Sequence, residues 1–318
     1  VSSARKRHGE EMPRTQAARS RCMHSVSSAR KRHGEEMPRY TALSTAEELA
    51  ASCQPRRHAP QAGGLLPRLL GHLLFCYTCV MSTLLCPLLA MAVRPFAPLL
   101  PRPIRGASLF RLVALLWHWS LGIQPLPPLE DAGSVTYLCN HRSMADCYVD
   151  IWQCDATVVI RQLAAAVSLL GTLAGLLSGR LLIINRGKTN RTQLAARSAK
   201  HPRLLLYPEG TRRPHSTTPA PLRPGGLKNA YEAGHPVRIV MTAGKDVAID
   251  ERRCSAACGV RLRRVASPLL RPGEYGSFEA FMPAVEEVWA ATWARLQAGE
   301  PEVKPEVEEE SPLSPTPS

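Results

Sequence analysis

The chain has 318 residues, 45% of them apolar and 21% charged, with a mean hydropathy of −0.13. That is long enough to bury a core without disulfide staples, and the balance excludes both a wholly disordered chain and a many-pass membrane bundle. The 40 Lys and Arg against 26 Asp and Glu give a net charge of +14 and a pI of about 9.7. This points to an anionic partner, while 5% aromatics weakens a stacking platform for single-stranded nucleic acid.

The charge is unevenly placed. The first 39 residues carry +6 and the last 19 carry −5, which leaves +13 for the body. The segment VSSARKRHGEEMPR occurs at 1–14 and again, identically, at 26–39. Two copies without a hydrophobic face do not form a solenoid. They read as a recent duplication or an upstream extension, with Met37 as the expected start. The polar, Ser-, Arg- and Pro-rich stretch over 1–63 is expected to be a disordered basic leader.

Leu69 to Val93 holds 25 residues without an Asp, Glu, Lys or Arg. About 20 such residues span a bilayer core as a helix, so this stretch is expected to anchor the chain in a membrane in preference to forming a core helix. Pro87 is expected to kink or end it. Arginines flank both sides, so no orientation follows. The cysteines at 76, 79 and 86 read as small packing residues, and Cys76-x-x-Cys79 lacks a second pair at zinc-finger spacing. A second apolar stretch, Ala107 to Ile123, carries Arg111, Trp117, His118 and Trp119. It is expected to be the returning half of a helical hairpin or an interfacial helix. Gln162 to Ser178 is expected to dip into the surface or to join the core of the next domain.

From Ser134 the pattern changes. VTYLC (135–139), LLIIN (181–185), RLLLY (203–207) and VRIVM (237–241) read as strands, and 144–154, 189–200, 226–234 and 277–298 as helices. The alternation predicts an α/β domain with a largely buried sheet. The expected organisation is a leader over 1–63, an anchor over 64–123, a catalytic domain over 124–298 and an acidic, Pro-rich tail over 299–318.

Two runs carry chemistry. In Asn140-His141-Arg142-Ser143-Met144-Ala145-Asp146, the carboxylate lies one turn beyond the histidine, at the junction of a strand and a helix. It can hold one imidazole nitrogen and leave the other as a base. Alone, such a pair is better explained by a structural histidine capped by an aspartate. Tyr207-Pro208-Glu209-Gly210-Thr211-Arg212-Arg213 also follows a strand. Its glycine allows an unusual turn, and Arg212 offers a planar fork for phosphate oxygens. Carboxylate and arginine at a strand end make a site-like arrangement, set against a plain surface turn with a salt bridge.

These residues resemble the glycerolipid acyltransferases, the family of 1-acylglycerol-3-phosphate acyltransferases. NHRSMAD resembles their first motif, Gly179–Arg186 the second, PEGTR the third and Gly234–Val240 the fourth. The order is that of the family, and the resemblance covers roughly 65–282. Two departures stand out. Leu182 and Ile183 replace a usual aromatic, and Arg223–Lys228 replaces a Phe-Lys-x-Gly stretch.

The resemblance implies a mixed sheet flanked by helices behind an N-terminal membrane-anchoring helix or hairpin, in the endoplasmic reticulum by default. It implies His141 as base, Asp146 as its orienter, and direct attack of an acceptor hydroxyl on acyl-CoA. Asn140 or nearby backbone N–H groups would steady the oxyanion. Arg186, Glu209, Gly210, Thr211 and Arg212 would bind the glycerol phosphate, and Pro236 would shape the groove. No metal or cofactor is implied beyond acyl-CoA as co-substrate. The implied partners are acyl-CoA, lysophosphatidic acid or a related phosphorylated glycerolipid, and membrane lipid, with no nucleic acid. Glycerol 3-phosphate or another lysophospholipid is the alternative acceptor, and a non-catalytic protein that binds anionic lipid is the alternative class. Lys228 and Lys245 read as solvated surface lysines ahead of ligands for CoA phosphates.

Overall fold

The computed structural model describes residues 65–99, 105–131, 133–185 and 199–299, together with 192, 195 and 196. The leader, most of the helix expected over 189–200, and the tail beyond Gly299 lie outside the described residues.

Two helices lead in, α1 (Leu65–Val80) and α2 (Cys86–Val93), followed by a 3₁₀ turn over Arg94–Leu99. Pro87 does not end this run. The chain loosens into a π-helical turn at Met81–Leu85 just before Pro87, whose missing N–H leaves a gap in the ladder, and Tyr148 Oη donates to Ser82 O at 3.3 Å. The helical stretch Leu65–Phe96 is long and apolar enough to cross a membrane. Much of it is bare: Leu65, Leu66, Leu69, Leu73 and Leu89 are exposed.

Next come α3 (Leu109–Ser120), β1 (Val135–Cys139), α4 (Asp146–Cys154), β2 (Thr157–Arg161), α5 (Gln162–Val167), α6 (Leu169–Leu177) and β3 (Leu181–Ile184). The chain continues through β4 (Arg203–Leu206), α7 (Pro224–Glu232), β5 (Val237–Ala243) and the single turn α8 (Lys245–Ala248). A two-strand ribbon of β6 (Ile249–Asp250) and β7 (Ser255–Ala256), then β8 (Arg263–Ala266) and α9 (Phe278–Ala298), complete it. The main sheet has six strands in the order β3-β2-β4-β1-β5-β8. The first five run parallel and β8 is antiparallel on β5.

Alternation along the strands feeds two cores. Val135, Tyr137 and Cys139 turn toward α3 and α4, whereas Leu138 turns toward α7 and α9. On β5, Val240 joins the first layer and Val237, Ile239 and Met241 the second. Both faces of the sheet are covered, which is why these strands read as nearly continuous apolar runs. Helix α9 begins at Ser277, whose Oγ accepts from Ala280 N, and ends at Gly299 with φ +81°.

The second apolar stretch differs from the expectation. Helix α3 is neither a returning membrane half nor an interfacial helix; it is a core helix packed on α4. Trp117 is fully buried and stacks on Tyr148 with ring centroids 5.0 Å apart, and only Trp119 is exposed. Arg111 is accommodated because its Nε donates to Trp152 O at 3.1 Å and its guanidinium lies 4.6 Å over the Trp152 ring. Gln162–Ser178 breaks into two helices at Ser168, with Leu163, Leu169, Leu173, Leu176 and Leu177 exposed. Strands β2 and β8 add to the four expected in the main sheet.

Trp117→Ala removes the largest fully buried side chain of the α3–α4 layer. It is expected to lower the unfolding free energy by about 3–5 kcal/mol, read by denaturant titration in detergent.

Candidate active site

The carboxyl ends of β1, β4 and β5, three neighbouring strands at the middle of the sheet, bring the two chemical runs together. In parallel α/β folds this end is where ligands bind. After Cys139 the chain turns through Asn140–Ala145 before α4 starts at Asp146. Asp146 is 1% exposed and reaches back over that turn. Its Oδ2 accepts from His141 Nδ1 at 2.7 Å and from Arg142 N at 2.5 Å, and its Oδ1 accepts from Ser143 N at 3.0 Å. A carboxylate only accepts, so His141 Nδ1 carries the proton and Nε2 presents its lone pair. The imidazole side chain is 23% exposed and stacks on Tyr207, with centroids 4.4 Å apart and planes inclined by 20°.

The second run closes on the same turn. Glu209 Oε1 accepts from His141 N at 2.8 Å, and Arg213 N donates to His141 O at 2.9 Å. Arg142 Nη1 donates to Arg213 O and Ser216 O, and its guanidinium lies 4.0 Å over the Trp293 ring of α9. Both peptide groups of His141 are thus held by the Glu209–Arg213 loop. Gly210 makes that loop possible. Its φ is +69°, and a Cβ there would collide with the Arg223 side chain.

Beneath the turn lies a buried charge cluster. Lys245, expected at the surface, is completely buried. Its Nζ donates to Asn140 O at 2.7 Å and to Asp150 Oδ2 at 2.9 Å, and lies 3.6 Å from Asp146 Oδ1. Tyr207 Oη donates to the same Asp150 oxygen at 3.0 Å. Burial alone would raise the Asp146 carboxyl, but Lys245 and the His141 hydrogen bond outweigh it and hold Asp146 below the usual carboxylate range. For Asp150, burial wins over Lys245 and the carboxyl is pushed up. Burial disfavours a charged Lys245, yet the two aspartates reverse this and hold it protonated. Glu209 is raised by burial, only partly offset by the His141 N–H and Arg142.

The expected site residues fall into four groups. His141, Asp146, Glu209, Gly210, Thr211 and Arg212 are brought together. Arg212 forms a two-point contact with Glu251, Nε to Oε1 at 2.9 Å and Nη1 to Oε2 at 3.3 Å, while Glu251 also accepts from Met144 N. Asn140 belongs to the frame of the site and not to its cleft. It is fully buried, and its amide pairs with Thr242 in both senses, donating to Thr242 O and accepting from Thr242 N. One of its two amide N–H groups and its carbonyl oxygen are thereby committed to β5. Pro236 does not reach the site. It precedes β5, and its carbonyl accepts from Thr136 N, about 16 Å in strand rise below the level of Asn140, at the opposite end of the sheet. Arg186 lies outside the described residues.

Besides Lys245 and Arg142, four participants fall outside the expected set. Arg161, the last residue of β2, donates from Nη2 to Gly210 O at 2.6 Å and adds a cation at the loop. Tyr207, Asp150 and Glu251 join through the contacts above. Asp150 carries a signal in the sequence, since it stands four residues after Asp146 and so on the same helical face. Two cavities, of about 270 and 250 Å³, lie elsewhere, lined by Pro219, Leu222 and Trp289 and by Ala199, Leu204 and His235.

No protein-family model matches this chain, and no curated protein matches it in sequence. Among solved structures, its fold is similar to that of the 1-acyl-sn-glycerophosphate (LPA) acyltransferase PlsC from Thermotoga maritima, with a TM-score of 0.55 and 16% identity over 73% of this chain and 97% of that one. This likeness establishes a shared fold: a mostly parallel six-strand sheet with helices on both faces.

Glu209→Gln keeps an acceptor for His141 N but removes a buried charge. The raised carboxyl of Glu209 costs stability wherever it is ionised and costs nothing well below its ordinary value. The substitution is therefore expected to raise the melting temperature at pH 7.5, with the gain vanishing as the pH falls to about 4.

Proposed function

We propose that the protein is a membrane-associated acyltransferase that moves an acyl chain from acyl-CoA to the free hydroxyl of a 1-acyl-glycerol-3-phosphate, giving phosphatidic acid. The observation that carries this reading is the oriented His141–Asp146 pair, locked to the Glu209–Arg213 loop, on a fold shared with an LPA acyltransferase.

The acceptor hydroxyl donates a hydrogen bond to His141 Nε2. As its oxygen attacks the thioester carbonyl carbon, the proton passes to the imidazole, and Asp146 balances the imidazolium. The tetrahedral intermediate then expels CoA as the C–S bond breaks, and His141 returns the proton to the leaving sulfur. The products are an ester and free CoA, with no acyl-enzyme. Asn140 is buried in the frame of the site, so we assign the oxyanion to backbone N–H groups. Arg161, bonded to Gly210 O, and Arg212, two residues further along the loop, supply fixed cations for the acceptor phosphate, with Arg212 exchanging or sharing its Glu251 contact.

The apolar surfaces suit a lipid substrate. Helix α6 packs against the π turn and α2, so its exposed leucines adjoin the bare face of the N-terminal helix. Helix α5 starts directly after Arg161. An acyl chain leaving a bilayer along this surface arrives beside the cationic loop.

Purified protein in detergent, given acyl-CoA and a set of acceptors, tests the reading through CoA thiol release. Lysophosphatidic acid is expected to be turned over fastest, ahead of glycerol 3-phosphate, lysophosphatidylcholine and monoacylglycerol. His141→Ala is expected to lose about 10²–10⁴-fold. Equal release by wild type and His141→Ala defeats the assignment. Arg161→Ala and Arg212→Ala are expected to lose at least about tenfold more with lysophosphatidic acid than with monoacylglycerol.

A further inference from the structure

Lys245 sits where no side chain that merely decorates a surface would sit. It is the one lysine among the described residues that is wholly buried, and it stands at the start of α8, directly after β5. Gly244 permits the approach. Its φ is +94°, and a Cβ there would lie 3.0 Å from Arg261 O. The backbone of Lys245 is tied to the catalytic turn as well, since Ser143 Oγ donates to Lys245 O at 2.8 Å.

Two carboxylates one helical turn apart, Asp146 and Asp150, are both buried, and a cation is needed if both are to stay ionised. Lys245 supplies it. Neutralising Asp150 alone would need only a structural ion pair. The ammonium does more, because it also grips the carbonyl of Asn140, the residue whose next peptide carries His141, and lies 3.6 Å from the far oxygen of Asp146. Asp150 in turn holds Tyr207, whose ring forms the floor under the imidazole. Every path from the buried cation leads to the orientation of His141.

We propose that Lys245 is a positioning residue for the proton transfer: it fixes Asp146 and the Asn140 carbonyl so that the His141–Asp146 hydrogen bond keeps a single geometry. This rests on the catalytic reading above.

Three variants test it: Asp150→Asn, Lys245→Met, and the two combined. Breaking a buried pair by removing one partner is strongly destabilising, which puts the fold of Lys245→Met alone at risk. The combined variant removes one cation and one anion together and keeps the buried charge balanced. Each is assayed for kcat and KM with acyl-CoA and lysophosphatidic acid. Each is also examined by proton NMR for the far-downfield Nδ1–H resonance of His141, assigned by its loss in His141→Ala.

The expected result compares the combined variant with Asp150→Asn. The kcat falls by at least about tenfold while both KM values stay within about twofold, and the downfield resonance broadens or disappears. If the combined variant matches Asp150→Asn in kcat and keeps the resonance, Lys245 only balances Asp150 and the proposal is overturned. The resonance does not depend on turnover. A wild-type protein that shows the resonance but releases no CoA with any acceptor defeats the functional reading, and the NMR comparison still decides the role of Lys245.

Discussion

One buried carboxylate organises the centre of this molecule. Asp146 gathers two backbone N–H groups, an imidazole N–H and a nearby ammonium around two oxygens, with almost no access to water. Burial on that scale would ordinarily protonate an aspartate. Four favourable partners reverse the balance, so the charge is kept and becomes a fixed feature of the fold. The turn between β1 and α4, the tautomer of His141 and the depth of Lys245 all follow from satisfying this group. The Glu209–Arg213 loop then closes on the same turn from β4, so two runs 68 residues apart act as one unit.

The surroundings divide the remaining work by polarity. Arg161, at the end of β2, bonds the Gly210 carbonyl, and Arg212 belongs to the same loop. The uncovered leucines collect on the N-terminal helix and α5–α6. A phosphorylated lipid has the same division, with an anionic head and an apolar tail. Two of the cations behind the net +14 of the sequence thus lie at one loop, and an apolar surface lies on the neighbouring helices.

Much of this is legible in the sequence, for identifiable reasons. Strands buried on both faces are written as unbroken apolar runs, so β1, β3, β4 and β5 can be read directly. The spacing of His141 and Asp146 and the glycine in Pro208–Arg212 are local signals, and both lead to the site. What stays hidden is non-local. Helix α3 looks like a membrane segment because a core helix and a membrane helix share a composition. Its packing on α4, with Trp117 stacked on Tyr148, separates them. Lys245 looks like a surface lysine because nothing near it in sequence shows that Asp146 and Asp150 are its partners. Pro236 and Asn140 lie within motifs, but motif position is not spatial position. The strand places Pro236 at the far end of the sheet, and Thr242 occupies the Asn140 amide.

Asp146→Asn gives the most direct test of the proposed acyl transfer, through kcat and KM measured by varying acyl-CoA and acceptor in turn. The amide keeps the size of the carboxylate but offers His141 no ionised acceptor, so the tautomer and the stabilisation of the imidazolium are both lost. A fall in kcat of about 10³–10⁴-fold with KM nearly unchanged is the predicted result. A variant that folds and retains kcat within about tenfold of wild type would contradict it.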